Sequence, residues 1–237
     1  MIINTTYRTQ ETEIMDDFFL EGKELQEALD KIASINRLLG GNKLTLHGLK
    51  ILLKKSDATK TITIADIGCG NGDMLRMLAD YGKKNNLNLK LIGIDANAFT
   101  INYAQKLSTA YPNIEYRCVD IFSPEFSLLK YDIILCTLTL HHFSNEQILN
   151  IMTTFNNNAN IGIVINDLHR SKLAYRLFEK ICTIFKLNKM SREDGLISIL
   201  RGFKKKELEN FSKKLDLKNY TINWKWAFRY QWIIAKK

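Results

Sequence analysis

The feature that most constrains this chain is the stretch Ile64-Ala65-Asp66-Ile67-Gly68-Cys69-Gly70-Asn71-Gly72-Asp73. An apolar, β-branched run over residues 62–67 predicts a buried strand, and three glycines at alternate positions end it. Met74-Leu75-Arg76-Met77-Leu78-Ala79 then restarts as a helix. In such a strand, turn and helix, a backbone without Cβ atoms can lie flat against a nucleoside-type ligand. The spacing is G-x-G-x-G, not the G-x-G-x-x-G of the dinucleotide fingerprint, and no Gly-Lys-Ser/Thr follows to make a phosphate loop. Asp95 closes a second apolar run, Leu91-Ile92-Gly93-Ile94, where an acid can take a ribose diol. Asp120 closes a third run that ends Tyr116-Arg117-Cys118-Val119.

Strands are expected at 62–67, 89–95, 114–119, 131–137 and 160–166, with helices at 72–84, 98–110 and 145–157. Pro112-Asn113 marks the turn into the third strand, and Ser123-Pro124 a loop after it. This alternation predicts an α/β fold, a doubly wound and mostly parallel sheet, with Asp66, Gly68, Asp95 and Asp120 converging on its carboxyl edge.

The quoted motifs resemble those of the class I S-adenosylmethionine-dependent methyltransferases. Residues 66–72 resemble motif I, Asp95 the ribose-binding acid, Asp120-Ile121 the adenine-contacting pair, and Tyr131-Asp132-Ile133-Ile134-Leu135-Cys136 the fourth strand. The resemblance runs in order over residues 62–167 and more loosely to the C-terminus. It implies a seven-stranded Rossmann-like sheet whose last strand runs against the rest. It also implies S-adenosylmethionine as cofactor, held by Asp66, Gly68, Cys69, Gly70, Gly72, Asp95, Ala96, Asp120, Ile121 and Cys136.

Outside that core, residues before 16 are polar and read as a frayed start. Residues 16–39 carry Phe19, Leu25, Ala28, Leu29, Ile32, Ile35 and Leu39 at helical spacing, in one helix or two broken near Gly22, and Gly40-Gly41 reads as its stop. A second helix is expected over 45–54, followed by a polar stretch at 55–60. Residues 1–60 thus read as a helical cover and 61–237 as the methyltransferase domain. After Asp167, Ser171 can cap a helix, Ser191-Arg192-Glu193-Asp194 resembles a capping box, and 204–215 forms a third helix. Residues 171–215 therefore read as an inserted helical lid, before two strands at 217–224 and 226–235 with scarcely a turn between them.

Methyl transfer needs donor and acceptor aligned and a lone pair free on the acceptor, and an acidic hydroxyl then needs a base, most often histidine. His141 and His142 end the fourth strand, where a Leu-His-His-Phe run in the resembled family orients backbone and donor. His169 follows the fifth strand two residues after Asp167, which could hold its tautomer, so it is the preferred base. Arg201, at a Gly-Phe junction in the lid, could clamp a substrate oxygen; Asn36 and Arg37 could reach the pocket from the N-terminal helix. Metal is not expected, because the fourth strand ends in threonines and histidines rather than clustered acids.

The resemblance implies transfer to a hydroxyl or activated ring carbon of a small aromatic, polyketide or quinone-like acceptor, as in secondary metabolism. The net charge of +9 and the aromatic hairpin Trp224, Trp226, Phe228, Tyr230, Trp232 keep an RNA-modifying methyltransferase as the alternative. The proline turn of base-amine methylation is absent after strand four, where Cys136-Thr137-Leu138-Thr139 stands, and this disfavours nucleic acid. With no run of eighteen apolar residues, no signal-peptide pattern and four scattered cysteines, a cytoplasmic protein without a membrane span is expected, and a homodimer is compatible with it.

Overall fold

The structure is a computed structural model that describes residues 3–54 and 60–236, so the polar 55–60 stretch lies almost wholly outside the described residues. Its strands are β1 (Ile62–Ile67), β2 (Leu89–Asp95), β3 (Ile114–Cys118), β4 (Tyr131–Thr137), β5 (Ala159–Leu168), β6 (Tyr220–Lys225) and β7 (Arg229–Ala235). They form one seven-stranded sheet in the order β3-β2-β1-β4-β5-β7-β6. β1 to β5 are mutually parallel, and β7 runs antiparallel to both β5 and β6. The order reverses between β1 and β4, which opens a crevice at the carboxyl ends of these strands.

The helices are α1 (Lys23–Leu38), α2 (Gly41–Leu53), α3 (Asp73–Lys84), α4 (Ala98–Leu107), α5 (Pro124–Leu128), α6 (Asn145–Asn158), α7 (Lys172–Ile184), α8 (Lys189–Arg201) and α9 (Lys205–Lys214). A sheet covered on both faces needs strands that are apolar throughout. One face packs Ile64, Leu91, Ile133 and Val164 against Leu49 and Leu52 of α2 and Leu75 and Leu78 of α3. The other packs Ala65, Ile134, Ile163 and Trp232 against Ile151 and Phe155 of α6 and Leu208 and Phe211 of α9. No helix among the described residues is long and apolar enough to cross a membrane.

Five sequence expectations are corrected. The described residues before 16 are not frayed: Arg8 donates from Nε to the Arg201 carbonyl (2.7 Å) and from Nη2 to those of His141 (2.7 Å) and Phe143 (2.8 Å). Residues 16–39 do break at Gly22 (φ +97°), but only α1 is a helix; before it stands a 3-10 turn, Ile14–Asp16, and Phe19 is exposed. Gly40-Gly41 is a joint rather than a stop, since α2 begins at Gly41 directly after the left-handed Gly40. The Ser191 box does not form; Asn188 caps α8 by accepting from Ser191 N (2.9 Å), while Asp194 turns inward to accept from Ile14 N and Met15 N (2.7 and 3.0 Å). Residues 171–215 are not one piece either: residues of α7 and α8 line the crevice, whereas α9 is buried on the sheet.

Arg170 ties this arrangement together. It is fully buried and donates to the carbonyls of Thr5 (3.1 Å), Thr6 (3.2 Å) and Gly202 and to both carboxylate oxygens of Glu207 (2.7 and 3.1 Å). Removing one partner of a buried pair strands the other. Arg170→Ala is therefore expected to lower stability in urea unfolding by about 3 kcal/mol and to speed tryptic cleavage at Arg8. A loss under about 1 kcal/mol would mean that this network does not hold the N-terminal segment.

Candidate active site

The glycine-rich turn is pinned from β2. Gly68 N and Cys69 N donate to the Ile94 carbonyl (2.8 and 3.1 Å), and Gly70 N donates to Asp95 Oδ2 (3.3 Å). Gly68 and Gly70 have φ of +67° and +52°, a left-handed backbone that side chains rarely adopt. A Cβ on Gly68 would stand 2.3 Å from Thr139 Oγ1, so the turn also needs glycine to pass under the β4 rim. Asp95 Oδ1 accepts from Asn97 N (3.0 Å), and burial raises this carboxyl above its ordinary value. Asp30 of α1 accepts from Asn71 Nδ2 (3.0 Å) and from the Tyr103 hydroxyl (2.8 Å), which docks the N-terminal helix onto the turn.

The β4 rim carries the second half of the site. Against burial, which would raise it, His141 holds the Asp167 carboxyl below its ordinary value. Asp167 Oδ1 lies 2.7 Å from His141 Nδ1, and its Oδ2 accepts from His141 N (3.1 Å). His142 lies against the His141 ring (centroids 4.3 Å apart), and its Nδ1 is 2.6 Å from Asp16 Oδ1. Arg201 donates to Asp16 Oδ2 (2.6 Å) and to the carbonyls of His141 (3.2 Å) and His142. Although burial opposes it, these partners hold the Asp16 carboxyl well below the carboxylate range. Glu13 differs: burial pushes it up to about 7 although Ser198 Oγ donates to it at 2.6 Å.

A cavity of about 700 Å³ joins the two halves. Asp66, Gly68, Cys69, Gly70, Asp95, Ala96, Asp120, Ile121, His141, His142, His169 and Arg201 all border it. Gly72, Cys136 and Arg37 do not. Gly72 starts α3 with φ +77° and packs under the Tyr116 hydroxyl; Cys136 is buried in the core; Arg37 is exposed on α1, and its neighbour Asn36 borders the cavity instead.

Two roles read from the sequence change. Asp167 is paired with His141, not His169, because His169 lies past the end of β5 and donates its N–H to the Phe228 carbonyl (2.8 Å). His169 Nδ1 accepts from Trp224 Nε1 (3.1 Å), so its lone pair is already used, and burial with Lys204 and Arg170 lowers its pKa. Arg201 is occupied by Asp16 and two carbonyls rather than left to clamp a substrate. Glu13 and Asp16 went unrecognised, since two acids in a polar leader carry no local signal. Glu13, His141 and His142 do cluster, with ligand-type atoms all within 4.8 Å, an arrangement that the residues after β4 alone could not reveal.

The strand order, the glycine turn and the acid at the end of β2 define a class I S-adenosylmethionine-dependent methyltransferase. The chain belongs to the family described as "Methyltransferase domain", which matches residues 58–231. No curated protein sequence matches it. Among solved structures it is similar to the plantazolicin methyltransferase BpumL in complex with SAH, at 21% identity and TM-score 0.62 over 90% of this chain and 96% of that one. It is also similar to the magnesium protoporphyrin IX methyltransferase of Synechocystis with bound SAM (13%, TM-score 0.54, 94% and 89%). The CurJ carbon methyltransferase matches at 15% and TM-score 0.60 over 81% of this chain and 53% of that one.

Glu13 supplies a test of the buried acid cluster. The folded chain keeps its proton up to about pH 7, whereas an ordinary glutamate releases it near 4.5. Between those values the native state binds more protons, so this carboxyl's contribution to stability falls as pH rises. Glu13→Gln cannot ionise. In urea unfolding it should gain on the wild type from about pH 5 to about pH 7, by up to about 1.4 kcal/mol per pH unit. A constant difference would place the Glu13 pKa outside that window.

Proposed function

We propose that this methyltransferase acts on a hydroxyl, or an activated ring carbon, of a small aromatic, polyketide or quinone-like acceptor, with His142 as general base. One observation carries this reading: Asp16 holds His142 Nδ1 at 2.6 Å, on a half-buried side chain that borders the cavity, and Nε2 has no hydrogen-bond partner among the described residues. With its Nδ1 proton fixed by a carboxylate, an imidazole presents a basic lone pair at Nε2. His169, preferred on sequence, is oriented the other way, with its Nδ1 lone pair on Trp224.

The glycine turn fits the adenosyl group. Gly70 borders the cavity, and a Cβ there would meet only Leu29 Cδ2 at 3.7 Å, so its glycine keeps open space rather than filling a packing gap. In this reading Asp95 takes the ribose diol, Asp120 and Ile121 border the adenine, and the backbone at Gly68 and Leu138 flanks the methionine end. S-adenosylmethionine supplies an electrophilic sulfonium methyl. The chain's own work is to align the acceptor, exclude water and accept its proton at His142 Nε2.

Phe18, Phe122, Phe143, Leu177, Phe178 and Ile181 give the cavity apolar walls drawn from the N-terminal segment, the β3 and β4 rims and α7. Such walls suit an aromatic or acyl acceptor. Residues 3–38 then act as a cover, with α2 packed on the sheet, and α7–α8 as a lid, a narrower lid than the 171–215 read from sequence.

Two measurements test this. Calorimetric titration with S-adenosylhomocysteine should show Asp95→Ala weakening binding by about 1.5–3 kcal/mol, as expected for charge-assisted hydrogen bonds. Absence of binding to the wild type would remove the cofactor assignment. In turnover assays against a phenol panel, His142→Ala should lose 10²–10⁴-fold, as expected for a general base, and keep S-adenosylhomocysteine affinity. His169→Ala should lose about tenfold or less. The reverse order would return the base to His169.

A further inference from the structure

The buried arginines at this end of the sheet are of two kinds. Arg170 and Arg201 spend their donors on carboxylates and carbonyls. Arg229 does not. It starts β7 opposite Leu168 of β5, is 3% exposed, and has Nε and Nη1 buried without a hydrogen-bond partner among the described residues. Asp167 is the acid that acts on it through space, but that carboxylate already serves the His141 ring, His141 N and Leu168 N. Asn36 Oδ1, also buried and unpartnered, is nearby, yet a neutral amide oxygen adds no counter-charge to the guanidinium. A cation stripped of water whose nearest acid already serves other donors is costly to keep and calls for an explanation outside the folded chain.

The surroundings point to an anion. Arg229 borders the cavity. It lies against the first turn of α2, where a Cβ on Gly41 would stand 3.1 Å from Arg229 Cζ and 1.8 Å from Asn36 Oδ1, so only glycine permits the approach. α2 runs for 13 residues from a left-handed Gly40, and no side chain caps it. Its free N–H groups and dipole therefore add positive potential beside the guanidinium. A guanidinium presents parallel donors that match the two oxygens of a carboxylate.

We propose that Arg229 and the uncapped first turn of α2 form a carboxylate subsite for the acceptor, so that the methyl-accepting molecule is an organic acid. This rests on the acceptor cavity of the preceding reading. Position assigns the anion to the acceptor rather than to the cofactor. β7 stands two strands beyond β4, whose rim flanks the methionine end in the preceding reading, about 10 Å at the usual strand spacing, and four strands beyond β2 and its Asp95.

The test uses the full chain saturated with S-adenosylhomocysteine and two probes of one shape, 4-hydroxybenzoate and 4-hydroxybenzamide, by calorimetry. The wild type should prefer the carboxylate at least about tenfold, a difference of about 1.4 kcal/mol. Arg229→Met should lose that preference, Arg229→Lys should keep part of it, and S-adenosylhomocysteine affinity should stay within about threefold. The ligand-free Arg229→Met protein should melt no lower than the wild type, because an unpaired buried charge has been removed. Equal binding of the two probes by the wild type would overturn the proposal. So would an Arg229→Met protein that loses S-adenosylhomocysteine but keeps the carboxylate preference, since the anion would then be the cofactor's own. A markedly lower melting temperature would make Arg229 a structural cation and overturn it too. If the wild type fails to bind S-adenosylhomocysteine, the methyltransferase reading fails instead, and the same probe comparison on the free protein still decides on Arg229.

Discussion

The site depends on the pairing of Asp167 with His141. Both are buried, and a lone carboxylate at the end of β5 would be severely penalised by desolvation. The 2.7 Å contact removes that penalty and fixes the turn after β4. With the turn fixed, the His141 carbonyl can accept from both Arg8 and Arg201, and those arginines bring in the N-terminal segment and the end of α8. His142 is then left beside the His141 ring, facing Asp16. Each pairing is a precondition for the next, so the candidate base is positioned by residues from four separate parts of the chain.

What was legible in the sequence was local. β1, β2 and β4 fall on their expected bounds because the middle of a strand buried on both faces is rich in apolar residues, a strong local signal. The G-x-G-x-G turn and Asp95 were legible because the left-handed backbone demands glycine and the acid must close the next strand. The rest was hidden by distance. Asp167 and His169 would share a face if β5 continued, but the strand ends at Leu168 and the alternation with it. Arg201 stood out in the sequence only as a cation at a Gly-Phe junction, and its partner Asp16 lies 185 residues away. Arg229 did carry a signal, a charge between Phe228 and Tyr230 in a strand otherwise fit for the core.

The N-terminal segment and α8 hold each other closely. Asp194 accepts from Ile14 N and Met15 N, Ser198 donates to Glu13, and Thr9 N donates to the Leu200 carbonyl (3.3 Å). The wall of the cavity is thus a joint between the first and the last quarter of the chain. It meets the α/β core through Arg170, Asp30 and the β4 rim.

That joint fixes an order of events during synthesis. Glu13 and Asp16 leave the ribosome early, but Ser198 and Arg201 emerge roughly ten to forty seconds later at ordinary translation rates. Until then the sheet can assemble strand by strand while the leader waits, fully hydrated, with its carboxylates ionised. Closure of the pocket is therefore among the last steps of maturation, and a nascent chain stalled before α8 would have most of its nucleoside cradle but no reaction chamber.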